Sequence, residues 1–407
     1  MKLATIIVAA SVAGFGIRDS GLAWAAESRI PTLCQAEEVK VATSTIDLRL
    51  VGCGEGFPDN LLWHLDRADS LTGALDQSTT RRATGKGAVV YICDTGIMQV
   101  HDEFMRAEGS VVIAGIDANA RGGGCANPAL SPCWSIDSIL AIETHGTAVA
   151  SIVAGRNTGV APDAKIVSMY AESAANDIDR WLKMFDAIIQ HAWNPTTPPF
   201  RTAIINMSFV PNLASANDPK FPQFEAKMRQ MIGGVDANGD PDPNGKRFLF
   251  VTIAGNQTTT GDQCDKDMNS NVYPGILGSS IDGLITVGGI DSTNHLWDRS
   301  CRGPAVDVLA PAADMFVASI SAHDHYRSGA PFGGYPLNSG TSYASPYVAG
   351  IAALLLEENP ELTPQQLEMA IKGIASHVAN ADETAAAGRV AIFDLVSKLP
   401  RRRVIHH

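Results

Sequence analysis

In Asn338-Ser339-Gly340-Thr341-Ser342-Tyr343-Ala344-Ser345-Pro346 a serine stands where a run of small residues gives way to a strongly apolar segment. Val348, Ile351, Leu354 and Leu355 recur at three and four, the spacing of one helix face, and Pro346 suits a first helical turn, where a missing N–H is no loss. The spacing predicts a helix with Ser342 at its N-terminus. Backbone N–H groups and the positive end of the helix dipole favour negative charge there, and a carbonyl oxygen acquires that charge when a serine hydroxyl attacks it. Serine is also favoured as an N-cap for purely structural reasons. A nucleophilic role therefore needs a base and a carboxylate to orient it. In Ala88-Val89-Val90-Tyr91-Ile92-Cys93-Asp94-Thr95-Gly96 an apolar run ends in an acid and a glycine turn, which sets Asp94 at the carboxyl end of a buried strand. In the stretch Glu143-Thr144-His145-Gly146-Thr147, closed by Gly155, a histidine opens a helix of small residues. Singly, such an aspartate forms turns and such a histidine serves as a cap. Together, in the order Asp, His, Ser, they are the set that acyl transfer requires.

On these three blocks the chain resembles the subtilases, the subtilisin-like serine peptidases, from about Pro58 to about Leu395. The Gly159-Val160-Ala161-Pro162 turn, the Ile205-Asn206-Met207-Ser208 strand end and the Ala254-Gly255-Asn256 turn follow in family order. The resemblance implies that Asp94, His145 and Ser342 form the catalytic triad and that the Asn256 side chain donates to the oxyanion. It implies a secreted serine endopeptidase, with Ser208, Phe209, Val210, Ala254 and Gly255 meeting the substrate. Gly340-x-Ser342-x-Ala344 is close to the nucleophile elbow of the α/β-hydrolases, but their triad runs Ser, acid, His, whereas here the serine comes last. The rival from another class is a non-catalytic peptide-binding protein on the same scaffold. It is disfavoured because all four catalytic positions are filled.

The elements that must position these residues follow from the rest of the chain. Its 407 residues, 45% hydrophobic and 18% charged, suffice for a large core. Short apolar runs at Ala88–Cys93, Val111–Ala114, Lys165–Tyr170, Ala203–Met207, Phe248–Ile253, Leu284–Val287 and Val306–Leu309 predict strands covered on both faces. Amphipathic helices alternate with them: Ile178, Leu182, Phe185, Ile188 and Ile189 mark one, and Phe224, Met228 and Ile232 another. Thr363-Pro364-Gln365-Gln366 opens a later helix with a capping box. The expected fold is α/β, a doubly wound, mostly parallel sheet with helices on both faces, binding its ligand at the carboxyl edge.

Residues 1–25 read as a signal peptide: Lys2, then an apolar or small stretch to Ile17, then Ala23-Trp24-Ala25 as a small-x-small cleavage site. An extracellular or periplasmic location follows. Residues 26–57 form a short extension, too short for the inhibitory pro-segment usual in secreted subtilases, and are either a reduced pro-region or a disulfide-closed piece of the mature enzyme. Residues 58–397 are the expected peptidase domain and 398–407 a basic tail. A net charge of −12 argues against a nucleic-acid surface, and no further segment is apolar enough for a membrane span. The chain is expected to act on proteins or peptides as a monomer.

Two loops elaborate the core. Asp117 to about Asp137, with Gly122-Gly123-Gly124 and two cysteines, falls between the Asp and His blocks and reads as a stapled surface loop sooner than as a flank of the cleft with a role in specificity. Asp236 to Gly245 carries oxygen side chains at alternate positions, as calcium loops do, but Arg247 stands where an EF-hand supplies glutamate, and Asn-Gly and Pro are ordinary turn chemistry. No cofactor is required for the chemistry, structural calcium is left open, and no zinc-ligand spacing is present. Val210 and Pro211 follow the strand where subtilases often carry a glycine, which implies either a narrower cleft with fewer main-chain hydrogen bonds or a loop shifted outward with specificity left broad.

Seven cysteines suit an oxidising compartment. Proximity pairs Cys34 with Cys53, Cys125 with Cys133 and Cys264 with Cys301, leaving Cys93 inside its apolar strand. Mass spectrometry without reduction is expected to find three bridges and a free thiol at Cys93. Cys93 in a bridge would overturn its place in the strand.

Overall fold

The strand that ends in Asp94, Val89–Asp94 (β1), is fully buried and lies between two parallel neighbours in a nine-stranded sheet. In chain order the others are Val112–Ile116 (β2), Lys165–Tyr170 (β3), Thr202–Met207 (β4), Arg247–Ile253 (β5), Leu284–Ile290 (β6), Val308–Pro311 (β7), Ser376–His377 (β8) and Arg389–Val390 (β9). Across the sheet they run β8-β9-β7-β6-β5-β4-β1-β3-β2, and every pair is parallel except β8 with β9. In this computed structural model, residues 36–40, 46–50, 61–68, 75, 79, 83–118, 144–171, 177–208, 220–257, 264–269, 271–320, 326–327, 334–377 and 389–390 are described.

Alternate side chains of each strand point to opposite faces, and each face has its own helices. Val90 and Ile92, with Ile204, Val251 and Ile285, pack against His145–Ala154 (α1), Thr341–Glu358 (α4) and Pro364–Ile374 (α5). Val89, Tyr91 and Cys93, with Ile205, Phe248 and Phe250, pack against Ile178–Ala192 (α2) and Phe221–Gly233 (α3), through Trp181, Phe185, Phe224 and Met228. This is the doubly wound α/β fold that the continuous apolar runs predict: a strand covered on both faces has no reason to alternate polar and apolar residues. Cys93 is free, and burial pushes its thiol well above the ordinary range.

α5 opens with the expected capping box: Gln366 N–H donates to Thr363 Oγ1 (3.3 Å) and Thr363 N–H to Gln366 Oε1 (2.9 Å). α4 departs from expectation at its start. It begins at Thr341, with Gly340 as N-cap, so Pro346 falls in the second turn and leaves the Ser342 carbonyl without its helical donor. The helix therefore starts one turn earlier than the proline alone suggests. Ser342 is consequently inside the first turn and is not the cap.

A buried carboxylate ties the two site helices together. Glu103 Oε2 accepts the N–H groups of Asn157 (2.9 Å) and Thr158 (3.0 Å), in the loop after α1, while Oε1 accepts Asn157 Nδ2 (2.7 Å) and Tyr335 Oη (2.8 Å), in the segment that leads to α4. Burial opposes its charge, but the Thr158 and Asn157 amides outweigh that and hold the carboxyl below its ordinary value. Its contribution to stability is therefore complete above the unfolded value of about 4.3 and is lost as pH falls through the lower folded value. Glu103→Gln turns an amide donor toward other donors, so chemical denaturation at pH 7 should show a loss of about 3 kcal/mol. The variant should also lose part of the acid sensitivity of the wild type below about pH 4. A loss under about 1 kcal/mol would show that the carboxylate is not what joins these segments.

Candidate active site

Asp94 closes β1 and is 2% exposed, with Oδ1 accepting the Thr95 N–H at 2.8 Å. The same oxygen accepts His145 Nδ1–H, also at 2.8 Å. A carboxylate on Nδ1 fixes the imidazole tautomer that leaves Nε2 as a proton acceptor. The side chain of His145 is 28% exposed, so the buried acid has its partner at the surface of the site.

Glycine makes this approach feasible. A Cβ on Gly146 would lie 2.1 Å from the Gly96 carbonyl oxygen, far inside contact distance, so the first turn of α1 can rest on the β1 turn only without one. The Gly146 N–H, one of the helix's orphan donors, is taken by Thr95 Oγ1 at 3.0 Å, and Thr147 Oγ1 accepts the Met98 N–H at 3.0 Å. The Asp-Thr-Gly and His-Gly-Thr blocks thus interlock through all three of their residue types.

Ser342 is 8% exposed and follows Thr341, whose N–H and hydroxyl both donate to Asn256 Oδ1 at 2.9 Å. With its carbonyl oxygen held there, the Asn256 amide is oriented with the NH2 group on the opposite side. Asn256 leaves the end of β5 through a sharp turn. Ala254 N–H donates to Val287 O (2.8 Å), and Gly255 has φ of +91°, a conformation that favours glycine. The Cys264–Cys301 disulfide is present, and Cys301 N–H donates to Gly255 O at 3.0 Å. The bridge expected from proximity therefore backs the turn that carries Asn256. The other two expected pairs lie outside the described residues.

Ser208 faces inward. Its hydroxyl accepts Asn206 Nδ2–H (2.7 Å) and meets Ser345 Oγ (2.8 Å), so its side chain is committed to α4. Phe209, Val210 and Pro211 lie outside the described residues. In the loop from Asp236, Oδ1 of Asp236 accepts the N–H groups of Asn238 (2.8 Å) and Asp240 (2.9 Å), and Asp242 that of Asn244 (2.9 Å). Those oxygens form turns, and among the described residues no group of three or more metal-binding side chains is assembled. Sequence reasoning missed the tasks of Thr95 and Thr341, and missed Tyr343, whose ring lies 5.9 Å from that of His145. All three stand inside blocks already marked by residue type.

An acid at the end of a central parallel strand, a histidine on it from the next helix, and a serine opening the long buried helix define the class of subtilisin-like serine endopeptidases. The profile of the subtilase family matches residues 85–389, and the chain belongs to that family. It is similar to subtilisin-like protease 3 of Pseudogymnoascus destructans, 30% identical over 347 residues that cover 84% of this chain and 69% of the relative. It is similar also to alkaline serine exoprotease A of Vibrio alginolyticus, 28% identical over 322 residues, covering 78% of this chain and 47% of the relative. Among solved structures, a cold adapted subtilisin-like serine proteinase matches with a TM-score of 0.60 at 25% identity, covering 83% of this chain and 99% of that one.

Because Gly146 has no room for a methyl group, Gly146→Ala should displace His145 from Asp94 and lower kcat about 100-fold. A variant that melts cooperatively and turns over at the wild-type rate would show that this contact does not set the pair.

Proposed function

We propose that the chain is a secreted endopeptidase that hydrolyses peptide bonds through an acyl-enzyme on Ser342. The observation that carries the reading is the 2.8 Å hydrogen bond between His145 and buried Asp94, in a subtilase chain. His145 takes the Ser342 proton as the hydroxyl attacks the scissile carbonyl and returns it to the leaving amine. Asp94 keeps the imidazole in its tautomer and stabilises the imidazolium. The Asn256 amide and the Ser342 N–H hold the oxyanion, and loss of one such donor costs about 100- to 1000-fold. Water then attacks the acyl carbonyl, His145 taking its proton and passing it to Ser342 Oγ as the ester bond breaks and the new carboxyl end departs.

The substrate is an extended stretch of protein or peptide, met by the main chain around Ser208 and by Phe209, Val210, Ala254 and Gly255. Its delivery outside the cell rests on residues 1–25 as a signal peptide, with 26–57 as extension, 58–397 as peptidase domain and 398–407 as tail. No helix among the described residues is long and apolar enough to cross a membrane. The working form is a monomer with no nucleic-acid partner.

A fluorophosphonate probe should label the wild type and leave Ser342→Ala unlabelled, and the same variant should lose nearly all cleavage of casein. A free imidazole titrates near pH 6.5, so kcat/KM should fall on the acid side as a neutral base is lost. Casein cleavage by Ser342→Ala at the wild-type rate, or a profile flat to about pH 4, would overturn the assignment.

A further inference from the structure

We propose that Tyr343 is a positioning residue for the base, its ring bracing the His145 imidazole and shielding the Asp94–His145 hydrogen bond from water. The inference rests on the reading of His145 as the base. The two rings lie 5.9 Å apart between centroids and are tilted by 44°, within the range of aromatic packing. Tyr343 is 6% exposed and the side chain of His145 28% exposed, so a buried ring packs against an imidazole that still reaches solvent. Its hydroxyl lies by the Asn338 side chain, and Asn338 is itself paired with Met315 in a short antiparallel ladder. Burial, and after it the charge of Asp94, pushes the phenol up, as expected of a ring that shares the buried surroundings of the carboxylate.

The need for a brace follows from how the imidazole is held. The Asp94 hydrogen bond fixes the Nδ1 edge. Proton transfer takes place at Nε2, which must meet the serine hydroxyl within hydrogen-bond reach, and a small swing of the ring moves that far edge most. An aromatic wall limits the swing. It also favours the imidazolium that forms during attack, since a cation beside an aromatic ring is stabilised. Tyr343 follows Ser342 directly, so the same helical turn that sets the nucleophile sets the wall against its base.

The test compares Tyr343→Phe, Tyr343→Leu and Tyr343→Met with wild type on a chromogenic peptide p-nitroanilide, taking kcat, KM and the pH profile of kcat, with melting temperatures for each. Tyr343→Phe keeps the ring and should hold kcat within about threefold. Both aliphatic variants should lose about 10- to 100-fold in kcat with KM within about threefold. Their acid limb should move to lower pH, because the imidazolium has lost its aromatic neighbour. Leu and Met differ in shape, so a packing fault peculiar to one is separated from the loss of aromaticity common to both. Wild-type kcat and acid limb in either aliphatic variant would overturn the proposal, as would a Tyr343→Phe enzyme as impaired as they are. His145→Ala is the control: if it stays active, the reading of the base falls and the brace with it, whereas an inactive control beside a wild-type-like Tyr343→Leu removes the brace alone.

Discussion

The hydrogen bond between Asp94 and His145 is the constraint on which the arrangement of the site depends, because it joins the end of a central strand to the start of a helix 51 residues later. A charge-assisted bond of this kind is worth about 1.5–3 kcal/mol, too little to hold two separate elements in register by itself. The geometry comes from the backbone around it. Gly146 lets α1 settle on the Gly96 carbonyl, and Thr95 takes an N–H that would otherwise be orphaned. The side-chain bond then closes between elements already in place, and little conformational entropy remains to be lost when it forms.

The nucleophile's helix obeys a different constraint. From Thr341 to Leu356 every residue of α4 is buried, and its apolar surface runs all the way round. A helix of that kind is stable only when enclosed, and here it rests on the sheet beside α1 within one core. Each fully buried Leu, Ile or Val contributes about 1.5–3 kcal/mol, so the first turn inherits its rigidity from the packing of the turns that follow. Glu103 adds a polar tie between the loop that closes α1 and the segment that opens α4. The two site helices are thus coupled through a carboxylate that belongs to neither of them.

Much of this was legible in the residue order. Buried parallel strands announce themselves as short apolar runs, and β3 has the bounds that its sequence predicts. Caps and blocks of fixed residue type were legible for the same reason: their physics is local. What was hidden depends on pairs far apart in the chain. The close approach of Gly146 to Gly96, the grip of Thr341 on Asn256, and the convergence of Asn157, Thr158 and Tyr335 on Glu103 each join segments whose meeting the sheet order decides. Pro346 misled because a proline suits a first turn so well, whereas the helix begins a turn earlier, at Thr341.

Ser208 shows how such a hidden contact bears on specificity. As a polar residue at the end of β4, beside the expected cleft, it invites a role in binding substrate. Its hydroxyl is instead held between Asn206 and Ser345, and Ser345 lies one turn along α4 from Ser342. The strand end and the nucleophile's helix are therefore linked by a buried polar chain, and buried hydrogen bonds of this kind are costly to break. Under the proposed function, a peptide laid along this edge meets the main chain of Ser208 and not its side chain. On that reading, discrimination between substrates falls to side chains other than that of Ser208. Strand addition supplies affinity through the backbone and selectivity through the side chains that flank it. The hydroxyl at this strand end therefore serves the helix that carries Ser342.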